Sequence, residues 1–298
     1  MADINLLYDA LTRRGITHPR SNKPNASGFL RWGRNSRYFA AETDTGEGWN
    51  FGDFVDGWSE CVFEKAEKPL SDAEIRKRKA AAARARAKAQ AMQTEVWEVT
   101  AQRAFNLWRQ AQAADMRHDY LTAKQIQAHG AKMAVYNGIK FLVIPARDTT
   151  GKIWTLQYIS PDGNKRFLSG GKKKGCYFAI GKPDKQIIVC EGYATGASIN
   201  EATGHAVAVA FDKGNIENVV KSLLVKYPAY EIAIAADNDI KENAPNVGKD
   251  EAERIGNIYN LTVFIPHLKT DSKCDFNDMA IIEGAAAVRV VFNGINKG

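Results

Sequence analysis

Three acidic residues stand directly after two apolar stretches of the sequence. Glu191 follows "IIVC" in "IIVCEGYATG", and Asp237 and Asp239 follow "EIAIAA" in "EIAIAADND". If these stretches are adjacent parallel strands, the three carboxylates meet at one edge of a sheet. Carboxylates that converge within about 4–6 Å repel one another and need a compensating cation. Oxygen ligands suit Mg²⁺ or Mn²⁺, so we predict a site for two or more such ions, suited to phosphoryl or nucleotidyl transfer.

A later acidic cluster lies in "KCDFNDMA", just before another helical pattern. Asp275 and Asp278 either extend the metal site or cap the helix that follows them, and the sequence leaves both interpretations open. We include Asp278 among the candidate metal ligands, together with Glu191, Asp237 and Asp239.

The elements that must position these acids follow from the pattern after Lys185. Continuous apolar segments, "QIIVCE", "AVAVAF", "EIAIAAD" and "LTVFIP", alternate with helical patterns near 195–203, 215–227 and 246–258. Apolar strands between helices predict an α/β fold, with a parallel sheet covered on both faces. Ligands of such sheets bind beyond the carboxyl ends of the strands, where the acids stand. We assign 185–298 to this catalytic domain.

A β-rich basic subdomain is predicted for 131–184. Its apolar runs are separated by "DTTGK" and "PDGNK", which are typical of hairpin turns. Basic side chains gather here, and they are candidates to bind nucleic acid or nucleoside triphosphate: Arg147, Lys165, Arg166, Lys172, Lys173 and Lys174. The alternative is that they form the solvated tip of a hairpin.

A long helix is predicted within a basic helical region, 67–130. From Ser71 the sequence has no Gly or Pro for more than 40 residues and is rich in strong helix formers. Ser71 and Glu74 fit a capping box. Seven basic residues between Arg76 and Lys88 indicate either a grip on a phosphate backbone or a soluble spacer. We expect Val96, Val99, Phe105, Leu107 and Trp108 to pack against the protein.

A small β-rich module is predicted for 1–66, after an amphipathic helix at the N-terminus. Its aromatic residues are expected to form mostly the core of the module, although a base-stacking surface is the alternative. The residues concerned are Trp32, Tyr38, Trp49, Phe51, Phe54 and Trp58. The role of the neighbouring Arg31, Arg34 and Arg37 stays open.

Composition narrows the classes of function. The net charge of +7 and pI near 9.1 favour a polyanionic partner. Neither a membrane span nor a signal peptide is recognisable, so we expect a cytoplasmic protein with no membrane partner. Four scattered cysteines without a Cys-x-x-Cys pair argue against a zinc ribbon and a disulfide framework. We expect reduced and mostly buried thiols.

The segment 185–286 resembles a Toprim domain, the module shared by DnaG-type primases, topoisomerases and some nucleases. Its signature is a Glu after the first strand, here "VCEG", and an Asp-x-Asp after a later one, here "ADND". "DFND" resembles a further acidic motif, and Lys249 resembles a basic residue of the following helix. Upstream, "YLTAKQIQAHG" and "NFGDFVDGW" are similar to the primase half of phage and plasmid primase–helicases.

This resemblance implies a primase that joins nucleoside triphosphates into RNA primers on single-stranded DNA. It implies that Glu191 is a general base or metal-adjacent acid, that Asp237 and Asp239 are metal ligands, and that the basic residues and Lys249 hold template or triphosphate. The sequence departs from the family in two ways, since no zinc ribbon and no Gly-x-x-x-x-Gly-Lys-Ser/Thr loop are present. We therefore expect a replicative helicase or another replication protein to act in trans. A metal-dependent Toprim nuclease and a non-catalytic nucleic-acid-binding accessory protein are the alternatives.

Overall fold

The structure, a computed structural model, describes most of the chain. The described residues are 2–24, 28–34, 37–43, 47–53, 58–63, 72–240, 246–270 and 272–293, with the side chain of Glu74 left out. They separate into two compact units, Met1–Ala85 and Arg86–Gly298. The predicted division at 66, 130 and 184 stays a prediction.

The first unit is a small α+β module. Helix α1 (Ile4–Arg13) packs on an antiparallel sheet whose strands follow one another in chain order: β1 (Leu30–Trp32), β2 (Tyr38–Glu42), β3 (Gly48–Asp53) and β4 (Ser59–Phe63). Leu7 and Leu11 of the helix are buried against Trp32, Trp49 and Phe51 of the strands. The interpretation of these aromatic residues as core is therefore confirmed.

One of the three arginines whose role the sequence leaves open has a partner within this unit. Arg37 pairs with the buried Asp53 at 2.6 Å, so this arginine serves the module itself. Phe54 and the predicted capping residue Ser71 lie outside the described residues.

Helix α2 (Asp72–Gln110) is one unbroken helix of 39 residues, as predicted. The residues near its C-terminal end that pack are Ala101 and Ala104, with Trp97, Leu107 and Trp108 partly buried beside them. The expectation that Val96, Val99 and Phe105 pack is wrong, since these three side chains are exposed. Apolar residue type alone does not fix which positions of a helix are buried.

The middle of the chain forms an antiparallel sheet of five strands in chain order, interrupted by helix α3 (Asp119–Lys124). The strands are β5 (Gln112–Ala113), β6 (Lys132–Tyr136), β7 (Ile139–Arg147), β8 (Ile153–Ile159) and β9 (Lys165–Phe167). The turns between β7 and β8 and between β8 and β9 are "DTTGK" and "PDGNK", so both predicted hairpins are confirmed.

The third sheet has the order β10-β12-β11-β13-β14 and carries the predicted α/β architecture. Its strands are β10 (Phe178–Ile180), β11 (Gln186–Cys190), β12 (Ala206–Val209), β13 (Glu231–Ala235) and β14 (Thr262–Phe264). Four strands are parallel, whereas β10 pairs antiparallel with β12. The sheet is therefore mixed rather than wholly parallel, and it takes one edge strand from the segment that we assigned to the β-rich subdomain.

Helices cover both faces of this sheet, as expected. The helices are α4 (Tyr193–Thr203), α5 (Lys213–Lys226), α6 (Val247–Tyr259), α7 (Phe276–Glu283) and α8 (Ala285–Phe292). Along β11, Ile188 and Cys190 belong to the core shared with α4, α7 and α8, whereas Ile187 and Val189 belong to the core shared with α5 and α6. The continuous apolar run of β11 thus reflects burial on two sides.

Two further expectations concern the thiols and membranes. All four cysteines are free, and Cys176, Cys190 and Cys274 are buried, as predicted, while Cys61 is exposed. Among the described residues, no helix combines the length and apolar character that crossing a bilayer requires.

Truncation of the sheet core should destabilise the second unit. Ile188 is fully buried at the centre of the sheet, so Ile188→Ala is expected to lower the free energy of unfolding by about 2–5 kcal/mol. The control Ile282→Ala makes the same change at a side chain that is 63% exposed, and it should cost less than about 0.5 kcal/mol. Chemical denaturation measures both, and equal losses would contradict this assignment of the core.

Candidate functional site

The carboxyl edge of the parallel sheet brings the predicted acids together. Strands β11 and β13 are neighbours, with Cys190 paired to Ala235, so Glu191 and Asp237 leave the sheet at the same edge. On its other side β11 also pairs with β12, and there the Glu191 carbonyl accepts a hydrogen bond of 2.8 Å from the Phe211 N–H. The adjacency of β11 and β13, on which the predicted site depends, is therefore present.

Asp237 is the most strongly perturbed carboxyl at this edge. Its Oδ1 atom is buried and has no hydrogen-bond partner among the described residues. Burial raises its pKa to about 7, and the charges of Glu191, Asp275 and Asp239 act in the same direction. An unsatisfied buried carboxylate next to three other acids is a position that a cation would stabilise.

Asn238 and Asp239 are held by hydrogen bonds to Asn246 at the start of α6. Asn246 caps this helix, and its Oδ1 also accepts a hydrogen bond of 2.9 Å from the Asp239 N–H. Its Nδ2 donates to the Asn238 Oδ1 at 2.7 Å, and Asn238 in turn donates to the Pro266 carbonyl. A Cβ at Gly248 would lie 2.7 Å from the Asp237 carbonyl oxygen, so glycine permits this close approach. Sequence reasoning did not identify this supporting network.

Asp239 already has a cationic partner. The Lys273 Nζ lies 2.5 Å from the Asp239 Oδ1, and this hydrogen bond raises the pKa of Lys273. Asp239 is therefore paired with a cation from the segment before α7, whereas Asp237 has no ion pair among the described residues. The charge of Lys273 acts on Asp237 only at longer range, against the rise in its pKa.

The carboxyl of Glu191 also has a raised pKa, chiefly because of burial and then because of Asp212. Asp212 stands at the N-cap position of α5 without a side-chain capping hydrogen bond. Sequence reasoning missed it although "VAFDKG" repeats the pattern of an acid after an apolar strand. Residues 172–174, which we call the basic loop, lie between β9 and β10. Lys173 of this loop pairs with Asp212 at 2.5 Å. This contact brings one predicted basic residue to the acidic edge.

The two acids of "DFND" form a capping box at the start of α7, so the capping interpretation is confirmed. Asp275 accepts from the Asp278 N–H at 2.8 Å and from the Thr195 hydroxyl at 3.2 Å. Its charge contributes to the raised pKa of Asp237. Asp278 lies 3.9 Å from Lys124, and its role as a metal ligand stays a prediction.

Lys165 is the basic residue of β9 whose charge is coupled to the acids. Its pKa is lowered, first by desolvation of the ammonium group and then by the nearby Lys124. The charges of Asp275, Glu191 and Asp237 act in the opposite direction but do not outweigh these two causes. The side chain as a whole is exposed, whereas its ammonium group is largely desolvated beside the acids.

The other predicted basic residues differ in whether they contact the protein itself or face solvent. Lys172 lies over the Trp154 ring at 4.6 Å, and Arg147 is half-buried and donates to the Gly151 carbonyl at 2.8 Å. Burial lowers the pKa of Arg147. Lys249 lies in the first turn of α6, 3.6 Å from Glu253, while Arg166 and Lys174 are exposed.

The acids form a charged edge without a complete metal cage. Within the described ranges, no group of three or more His, Cys, Asp or Glu side chains is arranged to hold a metal ion. Mg²⁺, however, binds through one or two carboxylates and takes its remaining ligands from water and substrate phosphates. The unpartnered Oδ1 of Asp237 and its raised pKa fit such an ion.

Comparison with known proteins agrees with this geometry. Residues 186–286 match the family model of the Toprim domain. DNA primase TraC of Escherichia coli is 40% identical over 192 residues, which are 62% of this chain but only 13% of that protein. The chain thus spans a small part of the length of this relative.

Two solved structures also resemble the chain. One is the primase fragment of the bacteriophage T7 primase-helicase, with a TM-score of 0.45 and 18% identity, covering 61% of this chain and 79% of that one. The other is the DnaG primase catalytic domain bound to single-stranded DNA, with a TM-score of 0.47 and 12% identity, covering 68% and 80%. Residues 186–286 therefore match the Toprim domain in sequence, and the chain is similar over 192 residues to DNA primase TraC.

Proposed function

We propose that this protein is a DNA primase that synthesises short RNA primers on single-stranded DNA by metal-dependent nucleotidyl transfer. The observation that carries the proposal is the desolvated Asp237 carboxyl beside Glu191 and Asp239, at the carboxyl edge of a Toprim sheet. The 40% sequence identity over 192 residues with a protein named DNA primase supports the same reaction class.

We propose Glu191, Asp237 and Asp239 as the groups that hold Mg²⁺ or Mn²⁺, with Asp275 close by. When bound, such ions would neutralise the phosphates of the incoming nucleotide and the charge that develops on the leaving pyrophosphate. Asp239 is available only when Lys273 releases it, because the two groups form an ion pair.

The protein's own side chains have separate roles in this proposal. Glu191 accepts the proton of the attacking 3′-hydroxyl at its carboxylate, since its raised pKa makes the carboxylate a better base at neutral pH. Lys165 stands beside the acids and binds the triphosphate. Arg166, Lys172, Lys174, Arg147 and Lys249 hold template or triphosphate, while Lys173 also neutralises Asp212. A replicative helicase acting in trans exposes the template.

Loss of either acid should abolish primer synthesis. We expect Asp237→Asn and Glu191→Gln to lower the rate at least ~100-fold, because each removes a charge on which the reaction centre depends. The assay supplies single-stranded DNA, labelled ribonucleotides and Mg²⁺ or Mn²⁺, and short products are resolved on a denaturing gel.

The matched control for these variants is Glu231→Gln. Glu231 is exposed at the opposite end of β13, so the same loss of charge should leave synthesis intact. Shortened input DNA in place of new products would identify a nuclease. Binding without either outcome would identify an accessory protein, and in both cases the primase proposal fails.

The raised pKa of Asp237 gives a second test that does not depend on turnover. Between about pH 4 and pH 7 the folded state retains a proton on Asp237 that the unfolded state has released, so stability contributed by this group falls as pH rises. Asp237→Asn should therefore raise the melting temperature at pH 8 without metal. Each unit of pKa difference corresponds to about 1.4 kcal/mol.

Added Mg²⁺ completes this test. It should stabilise the wild-type protein at pH 8 and have a weaker effect at pH 6, because protons compete for Asp237. The Asp237→Asn variant should gain little at either pH. Equal stabilisation of both proteins by Mg²⁺, measured by thermal melting, would show that the ion binds elsewhere.

The basic loop is tested through its salt dependence. The double substitution Lys172→Ala and Lys173→Ala should weaken binding to a single-stranded oligonucleotide and lower the slope of log affinity against log salt by about 0.7 for each phosphate that the variant no longer neutralises. The control is Lys182→Ala with Lys185→Ala, at two exposed lysines before β11. An unchanged slope in the loop variant would mean that these lysines contact only Trp154 and Asp212 and do not neutralise phosphates.

A further inference from the structure

The N-terminal half of α2 has a charge distribution that the proposed reaction does not use. Seven arginines and lysines lie between Arg76 and Lys88, and no acidic residue occurs from Arg76 to Thr94. Every described side chain from Ile75 to Val96 is exposed. We call residues 76–88 the basic segment.

Within the part of the chain that the structure describes, few acidic side chains pair with the basic segment. One ion pair is present among its described contacts, between Arg78 and Glu47 at 2.8 Å. Cations one helical turn apart lie about 5–6 Å from each other, which is within the Debye length of about 8–10 Å at physiological salt. Their mutual repulsion is relieved when a polyanion binds, and strong helix propensity keeps the segment helical in the meantime.

The positions of the cations around the helix indicate the shape of the partner. At about 3.6 residues per turn, Lys77, Arg84 and Lys88 fall within about 40° of one another. Lys79 and Arg86 fall together on the roughly opposite side of the helix. A single strand of nucleic acid would meet one of these sides, whereas a helix lying in a groove has phosphates on both sides.

The residues between the cations are mostly alanine, including 80–83, Ala85 and Ala87. Small side chains allow the helix to approach closely, and the major groove of B-form DNA is about 12 Å wide, enough to admit an α-helix. Alanine offers no hydrogen bonds to base edges, so binding would be independent of sequence. The deep and narrow major groove of A-form duplexes would not admit the helix.

We propose that the basic segment is a sequence-independent binding element for duplex DNA, with α2 in the major groove and cations reaching the phosphates of both strands. This element goes beyond the proposed primase activity and does not depend on it. It would keep the protein on double-stranded DNA, whereas the acidic edge acts on a single strand.

The test compares two full-length variants that lose the same charge. In the first, Lys77, Lys79, Arg84, Arg86 and Lys88 are changed to Ala. In the second, five exposed lysines elsewhere are changed to Ala: Lys140, Lys182, Lys185, Lys226 and Lys269. Binding of a labelled duplex of mixed sequence, about 20 base pairs long, is followed by fluorescence anisotropy over a range of salt concentrations.

We expect the first variant to bind the duplex at least tenfold more weakly at low salt. The slope of log affinity against log salt should fall by about 0.9 for each phosphate that is no longer neutralised. The second variant should change the slope by less than half as much. Because alanine has the highest helix propensity, circular dichroism should show undiminished helix content in the first variant.

Two smaller variants test the placement in the groove. Removing Lys77, Arg84 and Lys88, or removing Lys79 and Arg86, should in each case weaken duplex binding. If only one side matters, or if the five substitutions affect a single-stranded oligonucleotide and leave the duplex unaffected, the proposal is overturned. Equal losses in the two five-residue variants would also overturn it, since net charge alone would then explain the binding.

Discussion

The candidate site depends on the mutual repulsion of carboxylates that the parallel pairing of β11 and β13 forces to one edge. The pairing of Cys190 with Ala235 leaves no freedom in where Glu191 and Asp237 emerge. Burial then makes their charges costly, and the pKa of Asp237 rises to about 7. Unlike Asp239, Asp237 has no ion pair among the described residues. A cation at such an edge would offset the repulsion among the carboxylates and part of the cost of burying their charge.

The rest of the second unit holds this edge in place. Helices α5 and α6 pack on one face of the sheet and α4, α7 and α8 on the other, so the strand ends cannot separate without opening two cores. The caps serve the same purpose: Asn246 fixes the loop that carries Asp239, and Asp275 fixes the start of α7 while its charge acts on Asp237. Structural and electrostatic roles are therefore combined in the same side chains.

Much of this arrangement could be predicted from the sequence, because apolar runs ending in acids are local signals. The order of strands and helices after Lys185 and both hairpins followed from such patterns. Features that depend on contacts distant in sequence did not follow: the antiparallel β10, the packed face of α2, and the pairing of Lys173 with Asp212. Asp212 itself was missed although it follows the segment "AVAVAF" directly, because its effect on Glu191 depends on the pairing of β12 with β11.

The Lys273 ammonium group occupies part of the acidic edge through its ion pair with Asp239. Because this ammonium group is paired with Asp239, a divalent ion that bound there would have to displace it. Such an exchange would replace one positive charge at Asp239 by two, and the displaced side chain, on the segment before α7, would be free to meet a negatively charged substrate.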